Sequence, residues 1–199
     1  MPFRRHAGLA CCIAGFLSIG YGLVEVAGGR IYQAWRGPEL DRTLRSPPPS
    51  PRPAARHAAY RPGSAIGRLE IPRLALSAVV LEGSDSGTLL LGVGRLPDSA
   101  LPGEPGNTVL AGHRDTFFRP LQAIRPGDRI SLRTTQGEFL YSVAWTGIVD
   151  STDTRLLLPT PKPALTLVTC YPFTYLGAAP ERFIVRAIPD PPTVSGEAR

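Results

Sequence analysis

The sequence predicts a mainly β fold, a closed or nearly closed barrel with short helices, preceded by one N-terminal membrane-spanning helix. Three observations carry that reading. Short runs of strand-forming residues recur from Ala65 to Ile188, separated by Gly and Pro turns, the pattern of a many-stranded β architecture. Residues 7–24 carry no charge at all. Between these two regions lies a stretch rich in Pro and Arg with almost no large apolar residue. A chain of 199 residues has room for one domain of ordinary size plus extensions.

The N-terminal residues 1–6, "MPFRRH", precede the membrane segment. The stretch "AGLACCIAGFLSIGYGLV" follows; as a helix it spans about 27 Å against a hydrocarbon core of ~30 Å. Glu25 stands in "VEVAGG", where a signal-peptide cleavage motif would need small residues, so the segment reads as a retained signal anchor over 7–29. Tyr32 and Trp35 suit an interfacial belt, although Arg30 and Arg36 there offset the orientation signal from Arg4 and Arg5. Residues 30–63 read as a spacer, stiffest from Gly37 to Gly63 around "PPPSPRP", where nothing apolar is available to bury. The barrel is expected over 64–189, and 190–199 as a disordered tail.

Within the barrel, "AIGRLEI" and "LSAVVLEG" read as strands divided by Pro72. "TLLLGVGRL", after Asp85 and Ser86, has the cap and spacing of a short helix. "NTVLAGH" is a strand ending at His113. "TFFRPLQAI" is a helical turn, because Pro120 is accepted only near a helix start. "DRISLRT" and "EFLYSVAWTGIV" form a hairpin across "TQG", and "ALTLVTC" and "RFIVRAI" are the last strands.

Net charge is +6, yet Lys162 is the single lysine among 22 basic residues. The arginines are dispersed and no RNA- or DNA-binding motif accompanies them, which argues against a nucleic-acid surface. The acids are too scattered to suggest a metal site.

Cysteine and histidine usage narrows the chemistry. Cys11 and Cys12 lie in the membrane segment, so Cys170 is the only thiol of the barrel and has no disulfide partner there. A lone cysteine is by default a small apolar residue. Its position raises the prospect of chemistry: strand alternation puts Thr166, Val168 and Cys170 on one face and Leu165, Leu167 and Thr169 on the other, leaving the thiol at the rim before "YPF". His6 precedes the membrane segment and His57 lies in the spacer, so His113 is the barrel's one imidazole. A thiol and an imidazole at two strand ends are the minimum for acyl transfer, nucleophile plus proton carrier. An oxyanion also needs a donor, and Arg182 and Arg186 share one face of the last strand as candidates. A binding module without catalysis would instead tolerate loss of the thiol.

These segments resemble a known family. "TLVTC", an 11-residue loop, Arg in "RFIVRA", and "AGHRDTFF" upstream look like a sortase, a membrane-anchored cysteine transpeptidase on an eight-stranded β-barrel. The resemblance spans Ala65 to Ile188. It implies His113, Cys170 and Arg182 as the catalytic set, with Thr169 and Arg186 as candidate substrate-binding residues, Thr169 alternatively serving packing or backbone positioning. "GHRDTFF" and the short loop before Arg182 look closer to the class D group and to the single sortases of Gram-negative bacteria than to class A. The implied substrate is a secreted protein carrying an LPxTG-like sorting signal, transferred to an amine acceptor. The implied location is the bacterial inner membrane, single-pass, with residues 1–6 in the cytoplasm and the catalytic domain outside it. No cofactor is expected, although some sortases are stimulated by calcium. An L,D-transpeptidase also uses Cys, His and Arg, but its "SHGC"-like approach to the thiol is absent; a cysteine hydrolase of similar geometry is the other enzymatic reading.

Overall fold

The structure, a computed structural model, describes residues 15, 27–45, 60–175 and 177–191. Eight strands, β1 (Ala65–Ile71), β2 (Leu76–Glu82), β3 (Val93–Arg95), β4 (Asn107–Ala111), β5 (Arg129–Thr134), β6 (Gly137–Asp150), β7 (Ala164–Tyr171) and β8 (Glu181–Pro189), close into one barrel. Their order around it is β1-β2-β3-β4-β7-β8-β6-β5. Closure leaves no unpaired edge. The expected alternation holds where it matters: Leu165 and Leu167 of β7 and Val185 and Ala187 of β8 enter the core beside Leu69, Leu110, Ile130 and Leu132. Their neighbours in sequence face outward.

Two local differences follow from element length. β3 is only three residues long, too short to show a period, and the sequence reading folds it into the preceding helix. That helix, α2 (Ser86–Leu91), stops before Gly92. Asp85 caps it, accepting from the Thr88 amide at 3.0 Å and the Thr88 hydroxyl at 2.6 Å. The hydroxyl bond, more than any other contact, holds the Asp85 carboxyl below its usual range. β4 ends at Ala111, so His113 stands two residues past the strand that was expected to reach it.

The larger difference is N-terminal. Residues 27–45 form a helix, α1, where an extended spacer was expected from residue 30. Propensity favours an extended chain around Gly37 and Pro38; packing against the barrel decides otherwise. Leu40 is buried with Val79 and Leu81, and Tyr32 and Leu44 pack on the same cluster. Gln33 completes the seam: its Nε2 donates to the Leu91 carbonyl, the end of α2, and its Oε1 accepts from the Val79 amide, both at 2.8 Å. Tyr32, expected in an interfacial belt, is therefore half-buried on the barrel.

Of the expected anchor over 7–29, only residues 15 and 27–29 are described; among the described residues no helix is long and apolar enough to cross a membrane. Spacer residues 46–59 and tail residues 192–199 lie outside the described residues. The barrel's bonding runs one residue into the expected tail, since the Asp190 amide donates to the Leu140 carbonyl and the Ser142 hydroxyl donates to Asp190 Oδ1.

Candidate active site

Register brings the three predicted catalytic residues into one row. β7 and β8 are antiparallel, with Cys170 directly opposite Arg182. β4 runs parallel to β7 with Ala111 opposite Val168, and the Gly112 amide carries the ladder one step further by donating to the Val168 carbonyl at 3.2 Å. Continuing that register sets His113 level with Cys170. Facing residues on neighbouring strands share a face of the sheet, about 5 Å apart. The row runs His113, Cys170, Arg182 on the outside of the barrel, with Ala111, Val168 and Ile184 forming the next row. Cys170 is a free, half-buried thiol.

Two loops hold the ends of this row. Gly112 is required by close approach: a Cβ there would lie 2.8 Å from the Phe118 ring. The turn after it closes with the Phe118 amide donating to the His113 carbonyl at 3.0 Å. Arg114 then reaches across to the loop between β7 and β8, its Nη2 donating to the carbonyls of Tyr175 at 2.6 Å and Gly177 at 2.9 Å. Arg119 does the same at the Phe173 carbonyl, 3.0 Å away. The segment after the imidazole is thus bolted to the segment after the thiol. Below the row, Phe183 packs against Phe173 and Tyr171 with centroids 5.4 and 6.3 Å apart, and the Tyr171–Pro172 peptide is cis. Thr169 faces inward, 3% exposed, and its hydroxyl donates to the Gly112 carbonyl at 2.7 Å. The Thr169 side chain thus lies on the opposite strand face from Cys170, beside the Gly112–His113 peptide.

Arg182 is half-buried; its Nη1 donates to the Ala179 and Glu181 carbonyls at 3.1 and 2.9 Å. Among the described residues no other nitrogen of its side chain is bonded, which leaves donors for a developing oxyanion. Arg186 lies two rows from Arg182 along the outer face, opposite Thr166. Its guanidinium donates to Asn107 Oδ1 at 3.2 Å and to the Leu156 carbonyl at 2.7 Å, and lies 6.0 Å from the Trp145 ring centroid. Burial pulls its pKa below the usual arginine range. Asn107 is the hub: the Thr166 hydroxyl donates to its Oδ1 at 2.6 Å, and its Nδ2 donates to the Leu156 and Leu158 carbonyls at 3.1 and 3.2 Å. This network fastens the segment between β6 and β7 over the strand face leading to Cys170.

Arg186→Ala should therefore act mainly on stability. Removing a charge-assisted pair of bonds costs about 1–3 kcal/mol, or roughly 3–10 °C in Tm for a domain of this size, with kcat little changed. A melting curve beside a peptide titration checks it: an unshifted Tm with a raised KM would return Arg186 to substrate contact. Among the described residues no cluster of three or more His, Cys, Asp or Glu could hold a metal ion.

A closed β-barrel with a thiol and a guanidinium facing each other on adjacent strands, and an imidazole in the turn just past the third, is the scaffold of a cysteine acyl-transfer enzyme. Comparison with known proteins makes the class specific. Residues 69–190 match the family model of the sortase domain. Sortase D of Bacillus subtilis is 44% identical over 135 residues, 66% of this chain and 68% of that protein. Sortase A of Listeria monocytogenes is 29% identical over 117 residues, 57% and 52%. Among solved structures, sortase C-1 of Actinomyces oris superposes with a TM-score of 0.60 at 29% identity, covering 64% of this chain and 75% of that one. The chain belongs to the sortase family, the cysteine transpeptidases.

Proposed function

We propose that this protein is a membrane-anchored transpeptidase that cleaves an LPxTG-like sorting signal after its Thr and transfers the exported protein to an amine. The observation that carries the reading is the His113–Cys170–Arg182 row. The Cys170 sulfur attacks the Thr carbonyl carbon as the thiol proton passes to His113. Negative charge developing on the carbonyl oxygen meets the Arg182 guanidinium, a preorganised donor on the neighbouring strand. The C–N bond to the next residue breaks as His113 protonates the departing amine, leaving a thioester on Cys170. An acceptor amine then attacks the thioester, His113 takes its proton, and the C–S bond breaks to release the thiolate and the new amide. Water in place of the amine gives hydrolysis.

The uncharged run 7–24 supports a single-pass anchor in the bacterial inner membrane, with Arg4 and Arg5 inside and the barrel outside, where exported sorting signals are met. The test is mass spectrometry of the full chain in detergent with LPxTG-like peptides and an added amine. An amine-ligated product together with a thioester adduct on the protein is expected. Cleavage without ligation at saturating amine would move the assignment to a hydrolase, and absence of any adduct would sink it.

A further inference from the structure

Helix α1 has a fixed rotation about its own axis. Gln33, Leu40, Asp41 and Leu44 all meet the barrel; the Arg68 Nε donates to Asp41 Oδ1 at 2.7 Å. At Gly29 a Cβ would lie 2.6 Å from the Leu90 carbonyl oxygen, so the backbone itself touches the domain. At 100° per residue the opposite side of the helix carries Ile31, Trp35, Pro38 and Arg42. Ile31 is 60% and Trp35 83% exposed, the latter the highest value among the large hydrophobics described. Arg42 and Arg45 are exposed on the same side. Of the two acids of the helix, Asp41 faces the barrel and pairs with Arg68, while Glu39 is exposed beside Trp35 and is neutralised by Arg36 at 2.9 Å. The outward face thus carries two exposed large apolar residues and two arginines beside one neutralised acid, a composition that fits the surface of an anionic bilayer.

The preceding chain says how such a surface would be reached. The uncharged run ends at Val24, three residues before α1 is first described. Standing upright, α1 would lift Trp35, eleven residues beyond Val24, about 16 Å from the hydrocarbon edge, past an interfacial layer of about 5–8 Å. Lying flat, it sets Ile31 and Trp35 in that layer and the arginines among the headgroups. We propose that the Ile31–Trp35–Arg42 face of α1 lies on the anionic lipid surface, so that the barrel is held against the membrane in one orientation instead of hanging from a flexible spacer. The proposal rests on the reading of 7–29 as a membrane anchor. It has a catalytic consequence: a Cβ at Gly29 would also lie 3.3 Å from the ring of Phe117, four residues past His113, so the start of the surface-lying helix abuts the loop that follows the imidazole.

The chain has two tryptophans, so Trp145→Phe leaves Trp35 as the sole indole reporter. The full-length variant is placed in vesicles of phosphatidylcholine with phosphatidylglycerol, with and without lipids brominated at shallow acyl positions. Expected are about twofold quenching of Trp35 by the brominated lipid and little quenching by aqueous acrylamide. An alkaline wash of the same vesicles reports on the anchor separately. A chain that resists the wash but shows Trp35 unquenched by lipid and open to acrylamide overturns the surface-lying helix and leaves the anchor intact. A chain stripped by the wash sinks the anchor reading and this proposal with it. As a second arm, Ile31→Ser with Trp35→Ser should leave turnover of a free peptide unchanged and lower turnover of a substrate embedded in the same vesicles; equal turnover of both substrates counts against the proposal.

Discussion

Cys170→Ala loses transpeptidation, with kcat/KM falling on the order of 10⁴-fold or more, and keeps its fold. The loss is large because nothing else in the barrel can form the thioester: Cys170 is its only thiol. The fold survives because the side chain is half-buried on the outer face, outside the core of Leu165, Leu167 and Val185, so Tm should move by no more than a few degrees. Intact-mass analysis of enzyme with peptide reads the result directly, as an adduct on the wild-type chain and none on the variant. Arg182→Lys is the informative companion. Lysine keeps the charge but not the planar set of donors, so if Arg182 stabilises the oxyanion the variant loses kcat while retaining much of its affinity for the peptide. Product formation by Cys170→Ala at the wild-type rate would remove the nucleophile assignment and the row built on it.

The parts of this site that could be read from the sequence are those carried by rare residues and by strong periods. Cys170 and His113 stand out because the barrel has one of each; alternation in "RFIVRA" gives Arg182 the same face as Arg186, and only the sortase resemblance separates the two. The supports are harder to see. Arg114 and Arg119 are two of many arginines, and only the fold shows that both span from the His113 segment to carbonyls of the loop after Cys170. A hint was available in "HRDTFFR", where two arginines bracket an apolar pair with no acidic run to pair with. Asn107 opens a strand of apolar residues, and a polar amide there signals a network, but its partners Leu156 and Leu158 are carbonyls nearly fifty residues away. Helix α1 was misjudged for a different reason. Pro and Gly content describes what a segment prefers alone, whereas Gln33, Leu40 and Asp41 are decided by a barrel surface that exists only after folding. β3 was missed because three residues cannot display a period, and its pairing comes from its neighbours.

The largest stability effect should come from the Glu82–Arg95 pair at the far end of β2 and β3. The two residues face each other in register, with Arg95 Nη2 and Nε donating to the two carboxylate oxygens at 2.7 and 2.8 Å. Their side chains are 6% and 7% exposed, and Arg95 Nη1 is also bound to the Ser99 carbonyl. Two charges desolvated together are roughly balanced, but one left alone is not. Glu82→Leu strands a guanidinium that cannot deprotonate, and should cost about 3–5 kcal/mol, roughly 10 °C or more in Tm. Arg95→Met strands a carboxylate instead and should cost a similar amount. The double variant Glu82→Leu/Arg95→Met removes both charges and should recover most of the loss. Denaturant titrations of the three variants measure the coupling. Strictly additive single effects would show that the pair is not a coupled buried ion pair and that its geometry contributes little to holding β3 in the barrel.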